Sequence, residues 1–236
     1  MHHLTPIKMS KGKNYKAAKA LVTEEAYTLK EACDLVPQTS KVKFDASVEI
    51  HIKTGLDPKH ADQILRFTTP LPNGTGKQLK VIAFVPDDMA AEAKKAGASE
   101  AGLEDLVDKI AKGWMDFDIA VAHPSVMKNL GKVAKQLGQA RKMPSPKAGT
   151  IGDNVAAMVA DIMKGKVEVR TDKAGCIHNI VGKVSFGGDK LYENIKSLIE
   201  AVKENKPSGS KGLYIRSITL ASSMGPGVPV DINAEL

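Results

Sequence analysis

Residue types that perform catalysis occur in this chain, but their spacing matches no common catalytic arrangement. The six histidines are scattered at positions 2, 3, 51, 60, 123 and 178, and none falls into the HExxH spacing that holds zinc on a helix. Asp116 and Asp118 flank Phe117 before an apolar run, where paired carboxylates mark a turn more often than an acid/base pair. The only cysteines, Cys33 and Cys176, form neither a CxxC zinc motif nor a disulfide framework. We therefore expect no enzyme activity, no catalytic residue, no metal site and no cofactor.

Residues 71–77 (LPNGTGK) come nearest to a nucleotide-binding motif. A phosphate loop needs a glycine, four further residues, and then Gly-Lys followed by Ser or Thr. Here Leu71 stands at the first position and Gln78 follows the lysine, so the motif is incomplete. No GxGxxG follows either of the two apolar runs at residues 80–85 and 117–122, which disfavours a dinucleotide cofactor. An α/β enzyme that uses a nucleotide remains an alternative supported only by this loop and the two runs.

Basic residues point instead to binding of a polyanion. The chain has 34 Lys and Arg against 27 Asp and Glu, a formal net charge of +7. Two stretches contain cations and no acid: residues 1–23, with Lys8, Lys11, Lys13, Lys16 and Lys19, and residues 119–152, with Lys128, Lys132, Lys135, Arg141, Lys142 and Lys147. A solvated helix face and a loop would explain these two stretches about as well as binding of a polyanion would. Aromatic residues make up only 4% of the chain, which disfavours a binder that stacks many bases on exposed rings.

Two loops have the composition expected of an RNA contact. Residues 139–150 (QARKMPSPKAGT) combine three cations with two prolines, which predicts a stiff basic loop. Residues 222–227 (SSMGPG) offer hydroxyls, a flexible apolar methionine and glycines that allow close approach of a partner. Such a segment can hydrogen-bond ribose 2′-hydroxyls, although an ordinary strand-ending turn would look similar.

The middle of the chain has the pattern of an α/β unit. Residues 80–85 (KVIAFV) and 117–122 (FDIAVA) are apolar runs typical of buried parallel strands. Helical periodicity follows at residues 89–96 and 103–110. We predict a third helix capped by Ser125 and a fourth that is capped by Asp153 and runs to Gly165. The apolar stripe of the third helix consists of Val126, Leu130, Val133 and Leu137.

Both ends of the chain alternate with period two, as antiparallel strands with one wet face do. The alternating segments are residues 48–52, 167–169, 180–186 and 213–220. Thr28 and Glu31 form a capping box, and apolar residues from Leu191 to Val202 mark an amphipathic helix ending near Pro207. We predict an α+β two-layer sandwich domain formed by residues 1–70 and 161–236. A Rossmann-like three-layer α/β domain, residues 71–160, is inserted into it, and two connections act as a hinge.

The N-terminus has no apolar signal segment, and no run of 18 apolar residues occurs. We therefore expect a cytoplasmic protein that does not contact a membrane.

Seven motifs follow in the order and spacing of the large-subunit ribosomal protein L-one family, which this chain resembles from about Lys11 to Asp231. They are KFDASVE (43–49), LPNGTGK (71–77), GWMDFD (113–118), MPSPKAGT (143–150), DKAGCIH (172–178), VGKVSF (181–186) and SSMGPGV (222–228). The resemblance implies a two-domain, non-enzymatic protein of the mobile ribosomal stalk beside the tRNA exit site. It would be a monomer within the large subunit, cytoplasmic and ribosome-associated.

The same resemblance implies the partners. Members bind 23S ribosomal RNA mainly through the first domain, and the stalk assists release of deacylated tRNA from the exit site. Bacterial members also repress translation of their own operon by binding its messenger RNA. No small-molecule substrate is implied.

Carried over by motif, the RNA-binding residues lie in three segments. They are Lys43, Phe44, Ser47 and Glu49 on the first flanking strand; Asp172, Lys173 and His178 around a turn; and Ser217, Ser223, Met224 and Gly225 at the last strand. We expect the lysines to meet phosphates, the serines to meet ribose hydroxyls, and Glu49 to accept from a ribose hydroxyl or a base amino group. Phe44 fits the core equally well.

The chain departs from the family pattern mainly in one loop. Residues 137–147 read LGQARKMPSPK where LGPRGLMPNPK is common, so a Pro and a Gly are replaced at Gln139 and at Lys142 or a neighbour. Ser223 stands where the family usually has Thr.

Overall fold

Three sheets organise the chain in the computed structural model, which describes residues 12–210 and 212–232. The helices are α1 (Lys13–Lys19), α2 (Leu29–Thr39), α3 (Asp87–Lys95), α4 (Glu104–Ala111), α5 (Ala134–Gln139), α6 (Val155–Met163) and α7 (Gly187–Glu204). The strands are β1 (Ser47–Thr54), β2 (Arg66–Pro70), β3 (Val81–Phe84), β4 (Glu100–Gly102), β5 (Ile119–Ala122), β6 (Lys166–Arg170), β7 (Cys176–Lys183), β8 (Ile215–Ser222) and β9 (Gly227–Val230). Lys8 and Lys11 lie outside the described residues, whereas Lys13, Lys16 and Lys19 belong to α1.

The largest sheet is antiparallel, has the order β7-β1-β8-β9, and takes its strands from both ends of the chain. Residues along β1 alternate strictly between buried and half-buried, so that Val48, Ile50 and Ile52 point into a core. Helices α2 and α7 pack against that buried face. The capping box predicted at Thr28 and Glu31 is present at the start of α2. The result is a layer of two helices on one face of a sheet.

A parallel sheet of order β4-β3-β5 occupies the middle of the chain. Helices α3 and α6 pack on one face, where Val81, Ala83 and Val121 join their core. Helix α4 and residues 124–139 pack on the other face, around Ile82 and Phe84. Mixed α and β structure with several sheets is thus confirmed, and this part has three layers.

Two chain segments connect these regions through the antiparallel pair β2 and β6. Gly74 and Gly165 touch there, both with positive φ (64° and 101°), and a Cβ on Gly165 would lie 2.4 Å from the Gly74 Cα. Glycine is therefore required for the two segments to approach so closely. Leu71 packs in the core beneath the antiparallel sheet, and Ile162 packs beside the parallel sheet. The division into residues 1–70 plus 161–236 and residues 71–160 stays a prediction.

Several expected boundaries are wrong. The third helix is not continuous, because two short 3-10 turns, Pro124–Val126 and Asn129–Lys132, precede α5. Ser125 does not cap it; the His123 ring accepts from the Ser125 N–H instead. Asn154, not Asp153, caps α6 by accepting from the Ala157 N–H.

The flanking strands differ from the expectation in their ends and their pairing. Residues Val184–Phe186 form a 3-10 turn rather than the end of a strand. Strand β8 begins at Ile215, after Leu213. Strand β6 pairs with β2 and not with the large sheet. Alternation therefore located the strands but did not reveal their partners.

The longest described helix, α7, is amphipathic. Its inner face buries Leu191, Ile195, Leu198 and Val202, while Lys196 and Glu200 face solvent. Within residues 12–210 and 212–232, no helix combines the length and the apolar character needed to cross a bilayer.

Candidate nucleic-acid interface

The face of the antiparallel sheet opposite α2 and α7 carries four of the residues selected from the sequence: Ser47, Glu49, His178 and Ser217. We call it the open face; its side chains are Ser47, Glu49, His51 and Lys53 of β1, Cys176, His178 and Ile180 of β7, and Ser217, Thr219 and Ala221 of β8. Strand register brings these residues into rows, because directly opposite residues point to the same side. One row is His178, His51 and Thr219, and the next is Cys176, Lys53 and Ser217.

A turn between β8 and β9 closes one end of the open face. The Ser223 N–H donates to the Ser47 carbonyl at 2.9 Å, and the Ser47 N–H donates to the Ser223 hydroxyl at 3.2 Å. The Ser223 hydroxyl also lies 3.3 Å from the Ser47 carbonyl oxygen and donates to it. Ser223 therefore holds the turn against β1, and most of its hydrogen-bonding capacity is used within the protein.

Met224 projects from the tip of this turn and is 82% exposed. Its φ is +63°, in the left-handed region that non-glycine residues seldom adopt. Gly225 follows, and a Cβ there would lie 2.3 Å from the Ser222 hydroxyl oxygen. The turn thus fixes an apolar side chain in solvent at the cost of backbone strain, a combination found where surrounding structure and function require it.

Lys43 and Phe44 were placed on the first strand, and that placement is wrong. Both lie in a bend before β1, and Phe44 is 59% exposed rather than part of the core. The Asp45 carboxylate anchors the bend by accepting from the Ser185 N–H (3.1 Å) and hydroxyl (2.8 Å). Asp45 therefore fixes a bend that presents an exposed cation and an exposed ring near the Ser47 end of β1.

The other end of the open face lies about 20 Å away, six residues along β1. There Lys53 faces Ser217 across the strands, and its ammonium donates to the Ala174 carbonyl. Asp172 and Lys173 lie in the tight turn before β7, and both are exposed. Hydrogen bonds from the Cys176 and Ala174 N–H groups to the Asp172 carboxylate lower its pKa.

Two histidines occupy the centre of the open face. The Nδ1 atoms of His51 and His178 lie 2.9 Å apart, and the His51 Nε2 lies 3.9 Å from a Glu49 carboxylate oxygen. Burial, and then the neighbouring His178, lower the pKa of His51, although Glu49 opposes them. No nucleophile–base pair is formed by these groups. The face offers hydrogen-bond donors, acceptors and cations, which is binding chemistry.

Basic side chains that the sequence did not single out border this face. The Lys183 ammonium donates to the Ser47 hydroxyl at 2.9 Å. A cleft beside His178 is lined by Arg66 and Arg170, together with Arg141 of the basic stretch already noted in the sequence, and Glu168 pairs with Arg66 at 2.6 Å. Period-two alternation from Ser47 and Glu49 would have indicated His51 and Lys53. The arginines converge only through tertiary structure.

The basic loop of residues 139–150 is less available than its composition suggests. The Lys142 ammonium turns inward and donates to the Met115 and Phe117 carbonyls. Arg141 has φ +57°, so the backbone is left-handed at this position although the residue is not a glycine. Arg141 therefore remains the cation of this loop that reaches the cleft beside His178.

Residues 71–77 do not form a phosphate loop, because β3 and not a helix follows them. The Asn73 N–H donates to the Asn194 amide oxygen at 2.9 Å, and the Asn194 amide donates to the Gly74 carbonyl at 2.9 Å. The Lys77 ammonium pairs with Asp118 at 2.6 Å. The motif anchors the connecting segment to α7 and β5.

Comparison with known protein families shows which proteins this chain is related to. The profile of the "Ribosomal protein L1p/L10e family" matches residues 36–226, most of the chain and every residue of the open face. The chain belongs to this family. It is therefore a ribosomal protein of a structural family without enzyme activity.

Relatives from several bacteria align along almost the whole length of this L1p/L10e family member. The protein named "Large ribosomal subunit protein uL1" of Fervidobacterium nodosum is 49% identical over 94% of this chain and 95% of its own. Proteins of the same name from Solibacter usitatus and Chloroflexus aggregans are each 48% identical, over 93% and 94% of this chain and 93% and 96% of their own. The bacterial family resemblance seen in the motifs is thereby confirmed.

Proposed function

We propose that this protein is a constituent of the large ribosomal subunit that binds 23S ribosomal RNA through the open face. The observation that carries the proposal is the uncovered face of the antiparallel sheet, ended by an exposed Met224 that its own backbone holds at positive φ. Folded RNA is recognised by shape and by contacts to phosphates and 2′-hydroxyls, which such a face can make without aromatic stacking.

The residues divide by the part of RNA that suits them. Lys43, Lys53 and Lys173 suit phosphates, and the Ser47 and Ser217 hydroxyls suit ribose. Glu49 and Asp172 carry negative charge, so they fit ribose hydroxyls or base amino groups rather than phosphates. Ser223 acts mainly by positioning, because its hydroxyl is bonded to the Ser47 backbone. Met224 and Phe44 offer apolar contact to sugars or bases.

Binding to a fragment of the stalk region of 23S ribosomal RNA tests the proposal. We expect Met224→Asp to weaken binding roughly 10- to 100-fold at each of several salt concentrations, because it places a carboxylate in the contact. Met163→Asp is the matched control: Met163 is also exposed but lies on α6. Equal binding by the parent protein and the Met224 variant would refute the site assignment.

Phosphate contacts are tested by the salt dependence of the same binding. Replacing Lys173 by Ala should lower the slope of log K against log salt by about 1. Lys95→Ala, at the end of α3, should leave the slope unchanged.

The proposal includes two further roles, one that uses the open face and one that uses the connection between the two parts. Repression of its own operon needs the messenger to present an RNA that the open face binds, so ribosomal RNA and the messenger leader should compete for one site. Assistance in release of exit-site tRNA needs the two parts joined at Gly74 and Gly165 to move relative to each other. A leader RNA that shows no measurable binding, or that binds without competition, would remove the repressor role.

A further inference from the structure

Three side chains able to ligate a metal come together at one end of the open face. Asp172, Cys176 and His178 each place one donor atom within 4.8 Å of the donor atoms of the other two. Cys176 and His178 are two residues apart on β7 and so share a face. Asp172 joins them because its N–H donates to the Cys176 carbonyl at 2.8 Å, which folds the turn back onto the strand.

The Asp172 carboxylate is already oriented for ligation. Its Oδ1 accepts from the Ala174 N–H at 2.8 Å and from the Cys176 N–H at 2.7 Å. Its Oδ2 lies 3.5 Å from the His178 Nε2. Two ligand atoms in a tetrahedral zinc site lie about 3.4 Å apart, as follows from Zn–N and Zn–O bonds of about 2.1 Å. The separation of these two atoms therefore suits a shared metal ion.

His178 also has a partner on its other ring nitrogen. Its Nδ1 lies 2.9 Å from the His51 Nδ1, and the His51 Nε2 lies 3.9 Å from Glu49. When Nδ1–H of His178 donates to His51, the Nε2 of His178 presents its lone pair beside Asp172. A ligating histidine typically has such a hydrogen-bonded second nitrogen, which fixes its tautomer and the plane of its ring.

We infer that Asp172, Cys176 and His178 form a site for a zinc-like transition-metal ion, with His51 as a positioning residue. One thiolate, one imidazole and one carboxylate suit Zn²⁺ or Co²⁺, whereas Mg²⁺ prefers oxygen ligands only. Three protein ligands leave a fourth position for water. The inferred ion would lie on the same face that the proposed function assigns to RNA, but the ligand geometry does not depend on RNA binding.

Cobalt absorption spectroscopy of the full-length protein under reducing conditions tests the site. The parent for the test carries His2→Ala and His3→Ala, so that the N-terminal histidine pair does not bind the metal. We expect one Co²⁺ per chain, a thiolate-to-cobalt charge-transfer band in the near ultraviolet, and visible bands of four-coordinate cobalt. Zn²⁺ should displace the cobalt, and millimolar Mg²⁺ should not.

Two cysteine variants make the assignment specific. Cys176→Ser should abolish the charge-transfer band. Cys33→Ala should keep it, because Cys33 is buried on α2 beneath the sheet's opposite face. Absence of the band from the parent, or its persistence in Cys176→Ser, would overturn the inference.

Two further variants separate ligands from positioning residues. Asp172→Asn should weaken Co²⁺ binding while the thiolate band survives at saturating cobalt. His51→Ala should weaken binding roughly 10- to 100-fold, again with the band retained at saturation, as expected for loss of a group bonded to a ligand. Far-ultraviolet circular dichroism of each variant should match that of the parent. Unchanged affinity in Asp172→Asn would show that the metal binds elsewhere.

Discussion

Met224 adopts a backbone conformation that glycine would hold at lower energy. A left-handed non-glycine residue costs about 1–2 kcal/mol, part of which is offset because glycine loses more entropy on folding. We therefore expect Met224→Gly to raise the free energy of unfolding by about 0.5–1 kcal/mol in denaturant titrations. The same variant should bind stalk RNA more weakly, because the exposed side chain is lost.

Met224→Ala separates strain from contact. Alanine keeps the Cβ and therefore the strain, so the free energy of unfolding should stay within about 0.5 kcal/mol of the parent value. RNA affinity should fall as it does in Met224→Gly. A Gly variant that is no more stable than the Ala variant would show that the turn stores no strain at this residue.

At the scale of elements, a single buried amide joins α7, β7 and the connecting segment. Asn194 is fully buried; its amide donates to the carbonyls of Val181 (2.7 Å) and Gly74 (2.9 Å), and its oxygen accepts from Asn73. Asn194→Leu leaves three backbone groups unsatisfied, so we expect a loss of about 2–4 kcal/mol in chemical denaturation. Ser197→Ala, one turn along α7, is the control. Its half-buried hydroxyl makes only a long contact with the Pro70 carbonyl (3.5 Å), so its loss should change stability little.

The pair of Lys77 and Asp118 ties the same connecting segment to β5. The hydrogen bond from Lys77 lowers the pKa of Asp118, with help from the Lys80 N–H. A lowered folded-state pKa adds stability above the unfolded value near 3.9, and that stability is lost as pH falls through the folded value. Asp118→Asn should therefore cost up to about 1 kcal/mol at pH 7, because the pair is partly solvated.

The difference between Asp118→Asn and the parent should shrink as the pH is lowered below about 4, toward zero near pH 2. Asp116→Asn provides the comparison, because Asp116 is 72% exposed and pairs with the exposed Lys80. Equal losses in the two variants at pH 7, or a loss that persists at pH 2, would mean that the Asp118 carboxylate is not the cause.

Elements with a strong local signal were predictable, and those decided by distant contacts were not. Period-two alternation found β1, and the capping box found the start of α2. The prediction of a continuous third helix failed. Its four stripe residues are all buried, but a short 3-10 turn interrupts the backbone between them, so apolar spacing could not distinguish one continuous helix from an interrupted one. The pairing of β6 with β2 depends on the chain crossing at Gly165, which no local pattern encodes.

The candidate site followed the same division. The family motifs indicated Ser223, Met224 and Gly225, which form the turn between β8 and β9 in the structure. His51 was not among the selected residues, although alternation from Ser47 and Glu49 places it on the same face. What no local pattern shows is that His178 lies opposite it after folding. The Asp172, Cys176 and His178 cluster was missed for the same reason, since a turn and a strand had to combine before the three donors met.

At the scale of the whole molecule, the separate cores predict separate unfolding. Ile50 is fully buried beneath the antiparallel sheet and Ile82 is buried beside the parallel sheet, in different clusters. Ile→Val at either position should cost about 1 kcal/mol. In native-state hydrogen exchange, Ile50→Val should lower protection in β1, β7 and β8 and spare β3 and β5, while Ile82→Val should do the reverse. If both variants lowered protection everywhere by the same amount, the chain would unfold as one unit, and the two-part motion on which the proposed role in tRNA release depends would lose its structural basis.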